Sequence, residues 1–390
     1  MRRLSLMLTL LLAVAGASSV LAQSKEPVKI GLSAAVSGGS AASGEAIKRG
    51  LQIAIDEING HGGVLGGRKL ELVVRDDEGN PQKGVTLARE LVEREKVAAV
   101  FGGLHTTVAL AQVPVWQELK VPYMGAWAAG TNITRNGQSP NYVLRVSAND
   151  DDADKFLTRY ATEVLRKGKP GLLLENTSWG QSNEAGLTKW LGEKGIRAVG
   201  IEKFNWGDPD MSPQLLRLKN AGADHVVLVA NAPEGAQVVK SRAKIGWEIP
   251  MVSHWGISGG RFAELTGELS DGVAFLQTYS FFGKQNERGE QVLKALKEKY
   301  GVKGPEDVIA PVGTANAYDG LHLVALAIEQ AGSTDGAKVR DALEGLKAEY
   351  KGLIKTYRRP FTAEQHDALT DADYIMVVWR AGKIVPLAAK

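Results

Sequence analysis

Cysteine is absent from all 390 residues. Its absence excludes a disulfide framework, a thiolate metal site and a cysteine nucleophile. It also leaves no thiol to carry a lipid, so the chain is expected to be free rather than membrane-anchored. An excess of one charge sign is lacking too, with 47 Lys and Arg against 44 Asp and Glu. Without Arg2 and Arg3 the figures become 45 against 44, which gives nucleic acid no electrostatic footprint to bind. After the amino end there is no apolar run long enough for a bilayer.

Enzyme signatures are sparse. Gly31 is followed by Leu32-Ser33-Ala34-Ala35, which is no dinucleotide fingerprint. Gly62–Lys69 carries glycines at both ends, but Arg68-Lys69 stands where a phosphate-binding loop needs lysine followed by serine or threonine. The six histidines are scattered, without the paired spacing of a zinc protease. No cofactor, metal or catalytic residue is expected on these grounds. One pattern remains: Gly256-Ile257-Ser258-Gly259-Gly260 satisfies G-x-S-x-G, and His61-Gly62-Gly63 resembles an oxyanion loop. A secreted α/β-hydrolase would use Ser258 as nucleophile with a later Asp and His366 or His322. The competing reading makes Ser258 a cap for a helix beginning near Arg261, with glycines that relax the turn.

What is present is an ordinary globular composition, 44% hydrophobic and 23% charged, long enough for two domains. Arg2 and Arg3, the apolar run Leu4–Val14 and the small-residue site Val20-Leu21-Ala22 form a leader over residues 1–22, cut near Ala22. The expected location is the periplasm. Strand and helix patterns then alternate. Strands are expected at Val28–Ala34, Lys69–Val74, Val97–Phe101 and Val121–Met124. Ile47, Leu51, Ala54, Ile55 and Ile58 mark the face of the first helix. The alternation restarts after Arg145, with strands at Leu172–Leu174, Ala198–Ile201, His225–Val229 and Pro250–Ser253. Their helices are expected at Asp152–Arg166, Asn183–Lys194, Pro213–Ala221 and Gly235–Ile245. Gly289 to Leu346 reads as mainly helical, and Tyr374–Trp379 and Ile384–Leu387 as closing strands. Alternation of this kind predicts parallel sheets covered on both faces.

The stretch "SAAVSGGSAASGEAIKRGLQIAIDEINGHGGVLGGRKLELVVRDDEGNPQKGVTLARELVE" closely resembles the opening of periplasmic substrate-binding proteins of the branched-chain amino acid type, which feed ABC importers. "VPYMGAWAAGTNIT", "DPDMSPQLLRLKNAGADHVVLV", "AYDGLHLVALAIEQAG" and "YIMVVWRAGKIVPL" extend the resemblance along nearly the whole chain. It implies an α/β type I periplasmic binding protein fold, two Rossmann-like lobes joined by three crossings around a ligand cleft. The first lobe would take 28–145 plus 275–355, the second 146–274 plus 356–390. It implies a small-molecule ligand, ABC permease subunits as partners and a monomeric, non-enzymatic receptor.

Residues carry over by position. In relatives that bind amino acids, the turn matching Leu104–Thr107 holds the ligand's carboxylate, and the backbone at Ala128 meets it. Physics agrees with Thr106 and Thr107, because a helix starting there presents unpaired N–H groups and hydroxyl donors. The acidic side chain that holds the ammonium group in such relatives is replaced here by Trp255. Ala129 stands for an expected threonine beside Trp127, Trp179 for a tyrosine wall, and Ser43 for an aromatic residue in the first loop. Three tryptophans at strand ends, an anion site and no cation partner suit an aromatic or otherwise hydrophobic acid. His105, Asn231, His254 and Tyr279 are further candidates, and Asp208 and Asp210 read as structural. The alternatives are an ordinary branched-chain or other amino acid as ligand, a sensory receptor of the same architecture, or the hydrolase. Ser258→Ala separates the last from the rest: ligand binding is expected to survive it, and loss of an ester-cleaving activity would establish the hydrolase.

Overall fold

The computed structural model describes residues 26–387. The leader expected over residues 1–22 lies outside them.

The first sheet is built from β1 (Val28–Ala34), β2 (Leu70–Asp76), β3 (Ala99–Gly102), β4 (Tyr123–Gly125) and β5 (Val143–Arg145), all parallel, in the order β2-β1-β3-β4-β5. The second holds β6 (Pro170–Glu175), β7 (Gly200–Phe204), β8 (His225–Val229), β9 (Met251–Ser253) and β10 (Ala274–Gln277). These five run parallel in the order β7-β6-β8-β9-β10, the same permutation as the first sheet. A hairpin, β11 (Tyr350–Lys351) with β12 (Thr356–Tyr357), stands apart. The closing strands extend the second sheet, β13 (Ile375–Arg380) antiparallel to β10 and β14 (Lys383–Pro386) antiparallel to β13.

Strands β3, β4, β5, β6, β8, β9 and β10 are buried along their whole length, as parallel strands covered on both faces must be. On the first sheet the longest cover is the helix Ala41–Gly60 packed against the helix Pro311–Ala331. Their approach depends on Gly50: a Cβ there would stand 2.2 Å from the carbonyl oxygen of Thr314. Gly50→Ala would therefore force two backbones apart rather than merely fill a gap.

The observed crossings differ from the expected ones. Phe275, expected to open the return to the first lobe, lies inside β10, which the sequence reading missed altogether. Likewise the segment from Thr356 does not join the second lobe at once. Thr356–Tyr357 pairs with Tyr350–Lys351, and His366–Ala368 runs beside Arg145 at the edge of the first sheet. Only from Ile375 does the chain enter the second sheet.

The crossings are tied by one buried ion pair. Arg145 and Asp367 are 0% and 2% exposed, and Arg145 Nε donates to Asp367 Oδ1 at 2.7 Å. The same guanidinium donates to the carbonyls of Ala128 and Gly130 and to Thr134 Oγ1, while Asn149 Nδ2 donates to Asp367 Oδ2 at 2.7 Å. Every donor and acceptor of the pair is thus engaged by elements on both sides of the first crossing. Asp367→Ala is expected to destabilise the fold by about 3–5 kcal/mol, because it leaves a buried guanidinium without its counter-charge. Urea unfolding of the variant beside wild type measures this.

Candidate functional site

In each sheet the strand order reverses direction, between β1 and β3 in the first and between β6 and β8 in the second. Loops leaving the carboxyl ends of such a pair diverge to opposite faces and open a crevice, where open α/β sheets bind ligands. The two crevices face each other. Ser43 N donates to Gly259 O at 3.0 Å, Thr131 N to Ser182 Oγ at 3.1 Å and Asp150 N to Ala129 O at 2.8 Å. Gly260 meets Gly39 so closely that a Cβ on Gly260 would lie 2.5 Å from the Gly39 carbonyl oxygen. The cleft is shut.

Three tryptophans gather where the crevices meet. Trp127, from the loop after β4, and Trp255, from the loop after β9, have ring centroids 5.8 Å apart at 54°. His254 sits between Trp255 and Trp179, at 5.8 and 5.2 Å, edge-on to both. All four residues are buried. Trp179 Nε1 donates to Asp150 Oδ1 at 3.1 Å, and His254 Nε2 stands 3.1 Å from the same oxygen without hydrogen-bond alignment. His254 Nδ1 accepts from Trp255 N at 2.8 Å, so the ring proton resides on Nε2, toward Asp150. Trp127 Nε1, Asp150 Oδ2 and Gln277 Oε1 and Nε2 are buried without hydrogen-bond partners, as is Asn231 Oδ1. Unpaired polar atoms at this density are costly in an interior and are what a polar guest or waters would satisfy.

Beside this cluster a cavity of about 390 Å³ opens at the cleft mouth. Ser37, Gly79 and His105 line it from the first lobe, and Trp206, Asn231 and Glu234 from the second. Its charged lining residues are Glu78 and Glu234; among the described residues around it there is no lysine or arginine. His105 is partly accessible, yet the protein atoms around its ring push its pKa down to about 4, which keeps it neutral. Under the mouth lies Glu175, the last residue of β6 and 1% exposed. It accepts from Asn231 N at 2.6 Å and from Trp206 Nε1 at 2.9 Å. Burial, aided by nearby Glu234, outweighs these bonds and pushes its pKa up to about 8.

The remaining expected site residues are placed as follows. Thr106 begins the helix Thr106–Leu119 and its Oγ1 accepts from Gly130 N at 3.2 Å, while Thr107 Oγ1 is buried without a partner. Ala128 N is taken by the Gly103 carbonyl at 3.0 Å and its own carbonyl by Arg145, so in the shut cleft it has no amide to offer an anion. Ser43 is buried and its hydroxyl donates to Ser40 O, a bond internal to its own turn. Tyr279 bonds Gln285 and packs edge-on against Phe281, beside the crossing after β10. Asn231 precedes the helix Ala232–Lys244 and its side chain makes no cap hydrogen bond. Asp210 Oδ1 accepts from Ser212 N, in keeping with a structural role.

The hydrolase reading fails on geometry. Ser258 Oγ donates to Trp255 O at 2.7 Å. His366 instead bonds Val143 O and Glu344, and His322 stacks on Tyr350 near Glu57. Neither stands as a base to the serine.

Glu175, Asp150, Trp206 and Gln277 were missed by sequence reasoning. Asp150 opens an Asp-Asp-Asp run after Asn149, which reads as ordinary helix-start chemistry. Glu175 carried one signal, a lone acid closing an otherwise apolar strand.

Residues 27–383 match the periplasmic binding protein family, and the chain belongs to it. Among its relatives is Leu/Ile/Val-binding protein homolog 2 of Brucella abortus (strain 2308), 27% identical over 356 residues that cover 91% of each chain. A type 1 periplasmic binding protein from Bordetella pertussis Tohama I superposes with a TM-score of 0.84 at 23% identity, over 93% of this chain and all of that one. A solute-binding protein of an R. palustris ABC transporter, solved in complex with 4-hydroxybenzoate, superposes with a TM-score of 0.77 at 22% identity, covering 94% and 96%. The fold is the type I periplasmic binding protein fold.

Glu175 links the site to stability. Its pKa is about 8 in the folded chain against 4.5 ordinarily, so between these values the folded state holds one proton more than the unfolded state. Its contribution is fully present below about pH 4.5 and is lost as pH rises to 8, at up to about 1.4 kcal/mol per pH unit. Urea midpoints across this range are expected to fall more steeply in wild type than in Glu175→Gln.

Proposed function

We propose that this protein is the solute-binding component of an ABC importer, exported to the periplasm with residues 1–22 as its leader. In this reading it closes two lobes on a small carboxylate, with an aromatic or otherwise hydrophobic acid the favoured guest. The observation that carries the reading is the meeting of Trp127 from one lobe with Trp255 from the other, with Trp179 joined to them through His254, at the sheet end from which the helix Thr106–Leu119 also starts. Aromatic faces bury a ring, while the Thr107 hydroxyl and the amides of that first turn receive the negative charge. The lobes turn about the segments after β5, after β10 and before β13. The guest stabilises the shut state only as far as it contacts that state better than the open one. A complex of a structural neighbour with 4-hydroxybenzoate supports the choice. The permease is the partner, and the receptor acts as an unanchored monomer without catalysis; among the described residues no helix is long and apolar enough to cross a membrane.

A second reading has one observation in its favour. Asp150 Oδ2 is buried and unpaired within the tryptophan cluster, and it would receive an ammonium group. The guest is then an amino acid, as the name of the Brucella relative suggests.

A thermal-shift comparison of benzoate, 4-hydroxybenzoate, leucine and valine tests the choice, since a ligand at a hundred times its Kd stabilises the folded state by about 2.7 kcal/mol. A rise in melting temperature with the aromatic acids alone is expected. Thr107→Ala is expected to weaken acid binding about tenfold, the loss of one hydrogen bond to a charged group. Stabilisation by leucine alone, abolished in Asp150→Asn, would move the assignment to amino acids.

A further inference from the structure

Trp206 and Asn231 stand on different loops of the second lobe, one after β7 and one after β8, on either side of β6. Both line the mouth cavity, and the Trp206 ring meets His105 of the first lobe edge-on at 5.6 Å. Trp206 is 43% exposed, so packing alone does not fix it. What holds it is Glu175 Oε2, which accepts from its Nε1 at 2.9 Å, while Oε1 accepts from Asn231 N at 2.6 Å. Asn231 Nδ2 adds a longer bond to Oε2 at 3.4 Å.

We propose that Glu175 is the positioning residue of the cleft mouth, holding Trp206 and Asn231 where the first lobe meets them on closure, and that capture of the ligand weakens when its carboxyl ionises. The inference rests on the closing-cleft reading and deepens it. The ionisable group that acts on Glu175 is Glu234 on the helix Ala232–Lys244; beyond Trp206, across the mouth, stands His105, kept neutral by the protein atoms around its ring, and Glu78 at the rim is already paired with Lys83 at 2.7 Å. No cation offsets a negative charge at Glu175 from these elements. Burial pushes its pKa up to about 8, so the carboxyl holds its proton at neutral pH. Above that value a charge appears under the mouth beside another acid, and water must enter to solvate it. Entry of water separates Trp206 from His105 and opens the cleft.

Benzoate is the probe for the pH arm, because its carboxylate is ionised throughout the range and contributes no proton of its own. Wild-type affinity is expected to fall about fivefold between pH 7 and 9.5. Glu175→Gln offers Asn231 a carbonyl but turns an NH2 toward the Trp206 donor; its affinity is expected to be about fivefold weaker at pH 7 and flat with pH. Trp206→Phe lacks the donor, and the double variant is expected to bind no worse than either single one, which a merely destabilised fold would not reproduce. Wild-type affinity and pH dependence retained in Glu175→Gln would overturn the proposal. If leucine and not benzoate binds, the ligand assignment fails while the same series run with leucine still decides on Glu175. If neither binds, acrylamide quenching of the free protein decides. Quenching of Trp206, taken as the difference from Trp206→Phe, should rise through pH 8 in wild type and stay constant in Glu175→Gln. Constant quenching in wild type would overturn the role.

Discussion

Two sheets wound in the same order present their switch points to each other, and the cleft follows from that constraint. A loop leaving β1 and one leaving β3 have to part, since their helices cover opposite faces of the sheet; the same holds for β6 and β8. Residues that close these strands therefore have empty space in front of them. His105, Trp127, Trp179, Asn231 and Trp255 all follow strand ends. Their clustering is a consequence of topology, and their chemistry is what the sequence was free to vary on it.

The electrostatics of that cleft are unusual in what they leave out. The mouth cavity carries acids at its rim, a neutral histidine and no lysine or arginine among the described residues lining it, and the buried guanidinium that bonds the Ala128 and Gly130 carbonyls, Arg145, is already matched by Asp367. In the proposed reading a guest's negative charge would meet the first turn of the helix Thr106–Leu119, which has no side-chain cap and where the macrodipole supplies a partial positive charge. Partial charge is weaker than a guanidinium in water, but it needs no reorganisation and stays fixed in a site that excludes water. In that reading such a site would bind firmly only when the cleft is shut, which would make affinity and closure the same event.

The fold was legible because buried parallel strands and amphipathic helices leave strong periodic marks. Val28–Ala34 and His225–Val229 were read to the residue. Where the reading failed, the physical signal was short or local. Ala274–Gln277 has four residues and no alternation, so β10 looked like the start of a crossing. The helix from Ser178 was expected only at Asn183, because Thr177 capping onto Gly180 N is a contact of one side chain and leaves no periodicity. The tryptophan cluster was legible through its position after strands and its departure from the family's pattern. Glu175 was not, because a carboxyl that ends a strand is ordinary until its bonds to Trp206 and Asn231, which lie far along the chain, are seen.

In the proposed reading, opening and closing act on the polar atoms that meet across the cleft. The lobe interiors hold some atoms without hydrogen-bond partners, among them Trp116 Nε1, Tyr123 Oη and Trp379 Nε1, and the surfaces that meet across the cleft hold Asn231 Oδ1, Gln277, His254 Nε2, Asp150 Oδ2 and Thr107 Oγ1 without them. In the open state water would serve these atoms at no structural cost. In the shut, empty state they are desolvated and unmatched, which raises the energy of closure without a guest. A guest that supplies the missing partners removes this penalty from the shut state alone. On that proposal selectivity would reside less in the tryptophans, which accept any flat apolar body, than in the polar atoms between them, which reject a molecule that leaves them bare.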